Sequence, residues 1–178
     1  IQIARDQSMP ICQDTGMIWC LAEAGAECIL EGNLQTIIEN AVAKAYQDGF
    51  FRQSVVDDPL FRRENTRTNT PIVFFCQQTS GDKLKISLLA KGFGSENTSR
   101  IAMLNPTAGA SGVIEFIEET MNIAGGSPCP PVFLGIGIGG TMDMAAFLSK
   151  KALIRKAGTH HPDPAYANLE KEILQKVN

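Results

Sequence analysis

The chain has 178 residues, 44% of them apolar and 20% charged, with 16 Lys+Arg against 19 Asp+Glu and a formal charge of -3. That is enough apolar material for one sizeable core or two small ones, and it excludes a disordered tail or a fibrous repeat. No basic excess recommends nucleic acid or an anionic membrane surface as partner, and no apolar run approaches the roughly 18 to 20 residues needed to span a bilayer. No charged segment followed by an apolar one opens the chain, so the expected setting is cytoplasmic or an organelle matrix, with a small molecule or a protein as partner. Five cysteines, at 12, 20, 28, 76 and 129, are an odd number in a chain too long to need disulfide staples, which favours reduced thiols. A start at Ile1 and a stop at Asn178 within a helical pattern give the expectation of a piece of something longer.

In chain order, Leu34, Ile37, Ile38, Ala41, Val42, Ala45 and Tyr46 recur at steps of three and four, a helix after Gly32 that Gly49 ends. Arg52 to Thr70 turns to Arg, Asp, Asn and Thr without a period, a long irregular segment of the kind compact domains keep for a function. Pro71–Gln77 and Lys83–Ala90 read as strands joined at Gly81-Asp82, the simplest arrangement being an antiparallel hairpin. Helical spacing returns over Ser111–Ala124, with Ser111 as N-cap and Gly125 as stop. Val132-Phe133-Leu134 has a buried strand's length, and glycines at 135, 137, 139 and 140 lead from it into a helix carrying Met144, Phe147, Leu148 and Leu153. A last helix runs from about Ala165 to Val177, with His160 and His161 at its entrance. The expected fold class is α+β: a single domain, residues 1–178, of mixed sheet with flanking helices.

Four stretches could carry chemistry. In Pro10–Gly16 a thiol, an amide and a carboxylate (Cys12, Gln13, Asp14) stand beside a turn-permitting glycine; a buried cysteine next to an Asx-type turn is the bland alternative. In Ser127–Pro131 prolines hold Cys129 rigidly, which suits a metal ligand. Lys91–Arg100 follows a strand with glycines and polar side chains, and such a loop can cradle a carboxylate or phosphate or be merely solvated. Gly135–Gly140 matches G-x-G-x-x-G formally, but the acidic residue about 20 positions on is missing, so a dinucleotide module is the weaker option. Arg52, Arg62, Arg63 and Arg67 cluster where a guanidinium could grip a carboxylate, although most such arginines are solvated. Cys20, Cys28 and Cys76 read as packing residues.

Taken jointly and in order, ICQDTG, SVVDDPLFRRENTRTNTP, KGFGSENTS, SPCPP and GIGIGGTMDMAAFLSKKAL resemble the iron–sulfur-dependent class I fumarate hydratases and the related L-tartrate dehydratase alpha subunits, from about Pro10 to Leu153. The resemblance implies a hydro-lyase acting on a four-carbon dicarboxylate, fumarate to malate or alternatively tartrate, with a [4Fe-4S] cluster held by three cysteines and one iron corner open. It places Cys12 and Cys129 as two cluster ligands, Gln13 and Asp14 as substrate-binding residues with Asp14 also catalytic, Arg52 on a substrate carboxylate, and Gly94 as a backbone contact. Ser95, Glu96 and Asn97 are weaker matches whose side chains could simply shape their loop. Thr68 departs from the family, which often has Asp there. The third cysteine, the catalytic base and further substrate contacts are implied to lie in a C-terminal domain or beta subunit, with a homo-oligomer expected. On the same resemblance the glycines at 135–140 become close packing on a helix. A non-catalytic scaffold domain is the remaining alternative.

Overall fold

The computed structural model describes residues 2–10 and 12–178; Ile1 and Ile11, the latter inside the Pro10–Gly16 motif, lie outside the described residues. The fold is α+β, and the chain divides into two compact units, Ile1–Phe93 and Gly94–Asn178. No helix among the described residues is long and apolar enough to cross a membrane.

The first unit is a three-stranded sheet with one long helix. After the short α1 (Gln2–Asp6), β1 (Met17–Gly25) forms the middle strand, with β2 (Val73–Thr79) parallel on one side and β3 (Leu84–Lys91) antiparallel on the other. The expected β2–β3 hairpin is therefore incorrect. The two strands run in opposite directions as a hairpin would, but β1 lies between them. Ser80–Lys83 crosses over the end of β1, whose pairing runs Gly25 to Thr79 on one side and Ala24 to Leu84 on the other. Gly25 N–H donates to Lys83 O and Glu27 N–H to Gly81 O, both at 2.9 Å, so the end of β1 and its continuation take two of the crossing segment's carbonyls.

β1 was not anticipated from sequence, because Ile18 to Ala22 are all buried and a strand covered on both faces shows no alternation. One of its faces packs on α2 (Leu34–Asp48): Ile18 and Cys20 join Ile38, Val42, Tyr46 and Ile72 in one core, with Leu34 and Phe74 against it. The helix follows Gly32 and ends at Gly49 as expected, and its N-cap is Asn33, which was not singled out. Asn33 Oδ1 accepts Thr36 N–H at 3.0 Å, and Gly49 N–H returns to Ala45 O at 2.9 Å. On the other face Trp19 and Leu21 are buried, the indole 5.5 Å from the Phe75 ring.

Residues 52–70 carry only the isolated bridge Val56–Asn65 and are organised by side chains. Asp58 accepts the N–H groups of Leu60, Phe61 and Arg62, and these bonds hold its carboxyl below the usual carboxylate range. Arg62 pairs with Asp57 at 2.9 Å and Arg63 donates to Pro59 O at 2.7 Å, so both serve their own loop.

In the second unit, which the chain enters through the four-residue α3 (Phe93–Glu96), α4 (Gly109–Ala124) packs on α6 (Pro164–Val177) through Ile114, Ile117 and Ile173. Helix α4 starts earlier than expected. Asn105 caps a 3-10 turn at Pro106–Ala108 that runs straight into it, and Ser111 Oγ, not a cap, donates back to Ala108 O at 3.0 Å. Gly125 ends it as expected, its N–H on Met121 O at 3.0 Å. Asp163 caps α6 through Ala165 N–H at 2.8 Å, and His161 stacks on Tyr166 at the helix entrance. Glu170 of α6 takes Arg155 Nη1 at 2.8 Å and His161 N–H at 3.1 Å; the Arg155 bond above all lowers its pKa.

The expected strand at Val132–Leu134 is also incorrect: no strand forms there, and Phe133 is 58% exposed. The apolar run has no paired neighbour among the described residues, and the chain after it lies instead against α5 (Met142–Leu153). A Cβ on Gly137 would come 2.0 Å from Ala145 O, and one on Gly135 would come 2.2 Å from Ser149 O. These glycines let an extended backbone touch the helix backbone. Space that a phosphate would need is filled by α5, and without a preceding strand the dinucleotide option loses its structural premise.

Candidate active site

Residues 12–16 fold into a compact turn at the start of β1. Asp14 N–H donates to Cys12 Sγ at 3.4 Å, Gly16 N–H donates to Asp14 Oδ1 at 3.0 Å, and the Cys12 thiol reaches Gln13 Oε1 at 3.6 Å. Asp14 thus spends one carboxylate oxygen on shaping the turn, an Asx-type arrangement. Gly16 has φ +54°, and a Cβ there would meet Lys91 O at 1.9 Å, so only glycine lets this turn lie on the last residue of β3. A Cβ on Gly92 would press on the other Asp14 oxygen at 3.1 Å. The thiol and carboxylate are half-buried and the Gln13 amide is exposed.

Arg52 is brought to the same place. The Thr15 hydroxyl donates to Arg52 O at 2.8 Å, while Tyr46 OH, from the last turns of α2, donates to Thr15 O at 3.2 Å. Four of the residues singled out from sequence, Cys12, Gln13, Asp14 and Arg52, therefore share one end of the first unit's sheet. Unlike Arg62 and Arg63, Arg52 is exposed with no side-chain partner among the described residues, so its fork is free to take a carboxylate.

The second unit carries Gly94 and Cys129. Ser127 O lies 3.6 Å from where a Gly94 Cβ would sit, so the glycine loop and the Ser127–Pro131 segment are neighbours, with Cys129 exposed. Glu96 is paired with Lys150 of α5, and Thr98 Oγ1 donates to Ser95 O at 2.8 Å, so this side chain and this carbonyl shape the loop. Thr68 is exposed, its hydroxyl 2.7 Å from that of Thr70.

Cysteines separate by environment. Cys20 is fully buried, and burial, with Cys76 as a lesser cause, pushes its thiol up; Cys28 is half-buried. Cys76 is exposed on β2 and so is not the packing residue it was expected to be. Among the described residues no group of three His, Cys, Asp or Glu is placed to hold a metal ion.

A family model described as fumarate hydratase (fumerase) matches residues 1–178. The chain belongs to that family. Among its relatives, a Methanocaldococcus jannaschii protein named "Putative L(+)-tartrate dehydratase subunit alpha" is 43% identical over 99% of this chain and 64% of its own length. The L(+)-tartrate dehydratase subunits alpha of Escherichia coli strains UTI89 and K12 are 34% and 33% identical over the whole of this chain and 59% of their own length. The chain thus spans about six-tenths of the relatives it matches.

Asn69 and Tyr46, which build the turn, were not singled out from sequence. An asparagine in a polar run and a tyrosine on an apolar helical stripe carry no local mark; only the fold shows what they touch.

Proposed function

We propose that this chain is the N-terminal or alpha portion of a hydro-lyase that adds and removes water across the central carbons of a four-carbon dicarboxylate. The observation that carries the reading is the fastening of the Cys12–Asp14 turn to Arg52 at one sheet end. The Arg52 fork takes one substrate carboxylate, with the Gln13 amide donating beside it. The Asp14 carboxylate accepts from the substrate hydroxyl, and the Gly94 backbone adds a contact. The donor chemistry at Cys12 fits a thiolate-ligated cluster, since the Asp14 N–H is aimed at Sγ and hydrogen bonds to the sulfurs tune such clusters. Cys12 and Cys129 are the two ligands this chain would supply to a [4Fe-4S] cluster; bound, its open iron supplies Lewis acidity toward the substrate hydroxyl. Cys20, buried and pushed away from the thiolate, does not suit the third position, which we assign with the catalytic base to a C-terminal domain or beta subunit.

Fumarate and malate are the substrates the family description favours, and L-tartrate is the one the relatives' names favour; malate and L-tartrate both present a hydroxyl on a carbon bonded to a carboxylate. Residues 1–178 contribute both units to this portion, and a homo-oligomer in the cytoplasm or an organelle matrix is proposed for the whole. The test is anaerobic purification of the full-length protein with iron and sulfide analysis, followed by assays on fumarate, malate and L-tartrate. An oxygen-sensitive brown protein active on one of these supports the reading; a colourless protein inactive on all three overturns it in favour of a scaffold.

A further inference from the structure

Asn69 is the fully buried polar residue of the described core, and its side chain makes three hydrogen bonds to distant backbone. Oδ1 accepts Ser54 N–H at 2.8 Å and Val55 N–H at 3.2 Å, while Nδ2 donates to Gly16 O at 2.8 Å. The chemistry fixes the amide's orientation, because two N–H groups can face only its oxygen and a carbonyl only its nitrogen. Its φ of +55° is a conformation that asparagine tolerates better than most residues. One side chain thereby ties the residue that closes the Cys12–Asp14 turn to the two residues that follow Gln53, just beyond Arg52. Thr15 makes a second tie, from its hydroxyl to Arg52 O. Removing either would let turn and arginine drift independently, and a displacement of about 1 Å at a binding group can cost roughly a hundredfold.

We propose that Asn69 and Thr15 are positioning residues that hold the Cys12–Asp14 turn in register with Arg52; the kinetic part of this proposal rests on the hydro-lyase reading. Neither touches substrate. The test uses the full-length protein. Asn69→Gly suits the backbone conformation and deletes all three bonds. In the cluster-free protein, alkylation of Cys12 should accelerate about fivefold, roughly the factor for one lost hydrogen bond, while Cys20, buried in the core, stays protected. In the cluster-loaded protein, KM for the dicarboxylate should rise about tenfold with kcat within about threefold. Unchanged Cys12 reactivity and unchanged KM, with Cys20 protected, would overturn the proposal. Should Asn69→Gly expose Cys20 through unfolding, Thr15→Val against Thr15→Ser decides. A raised KM in the valine variant that serine restores supports it, and two variants equal to the parent overturn it. Faster Cys12 alkylation in a protein whose unmutated form turns over none of fumarate, malate and L-tartrate supports the tie and counts against the hydro-lyase, so the two failures are distinguishable.

Discussion

Arg52 sits where a helix has just ended and a side-chain-organised loop begins, its carbonyl held by Thr15 and its guanidinium exposed. A charge-assisted pair with a carboxylate is worth roughly 1.5 to 3 kcal/mol. Arg52→Ala should lower kcat/KM for the dicarboxylate by about tenfold to a hundredfold, with melting temperature and iron content nearly unchanged. Arg52→Lys should also impair the enzyme, since it keeps the charge and loses the fork. Kinetics like the parent's in the alanine variant, or a loss matched by unfolding, would remove Arg52 from the site. The cysteines make a second test. Cys12→Ser or Cys129→Ser should abolish stable cluster binding, read as iron per chain, whereas serine at Cys28 or Cys76 should leave it. Serine at Cys20 should leave it too, at some cost in stability because that thiol is buried. Full iron content in the Cys129→Ser protein would withdraw that assignment. These residues stood out in the sequence as candidates because thiols, amides and guanidinium groups are chemically distinctive, while the roles proposed for them came from the resemblance. Asn69 did not stand out, because its importance lies in a bond to Gly16, 53 positions away.

Elements show the same division between local and distant information. Helices α2, α4, α5 and α6 follow from apolar spacing and from punctuation such as Gly32, Gly49 and Gly125, all local signals. The order of the sheet does not. A turn at Gly81-Asp82 is compatible with a hairpin and equally with two strands straddling a third, and only the insertion of β1 decides. The apolar run Val132–Leu134 shows the converse, since strand-like composition produces no strand without a partner to pair with. Its neighbouring glycines are better read by proximity than by motif. Gly137→Ala places a methyl 2.0 Å from Ala145 O, backbone that cannot step aside within a helix. Overpacking of that kind costs about 1 to 3 kcal/mol, and we expect a loss at the upper end by denaturant titration. A variant as stable as the parent would mean that the segment does not rest on α5, and would reopen the phosphate-cradle reading of Gly135–Gly140.

At the scale of the molecule, the chain is two compact units that distribute the proposed machinery: Cys12, Gln13, Asp14 and Arg52 on the first, Gly94 and Cys129 on the second. Its relatives are longer, this chain covering 64% of one and 59% of others, so a complete active site is expected to draw on sequence these 178 residues do not contain. Two thiolates cannot close the ligand set of the proposed cluster, and the proposed removal of a carbon-bound proton falls to none of the residues named above. The 178-residue polypeptide by itself, reconstituted anaerobically with iron and sulfide, should therefore form no malate from fumarate and dehydrate no L-tartrate, and should lose its iron on gel filtration. The full-length protein treated alongside should keep iron and turn over. Measurable malate from the isolated polypeptide, free of contaminating enzyme, would show that base and third ligand lie within these residues, and Cys76, exposed on β2, would then be the first cysteine to examine.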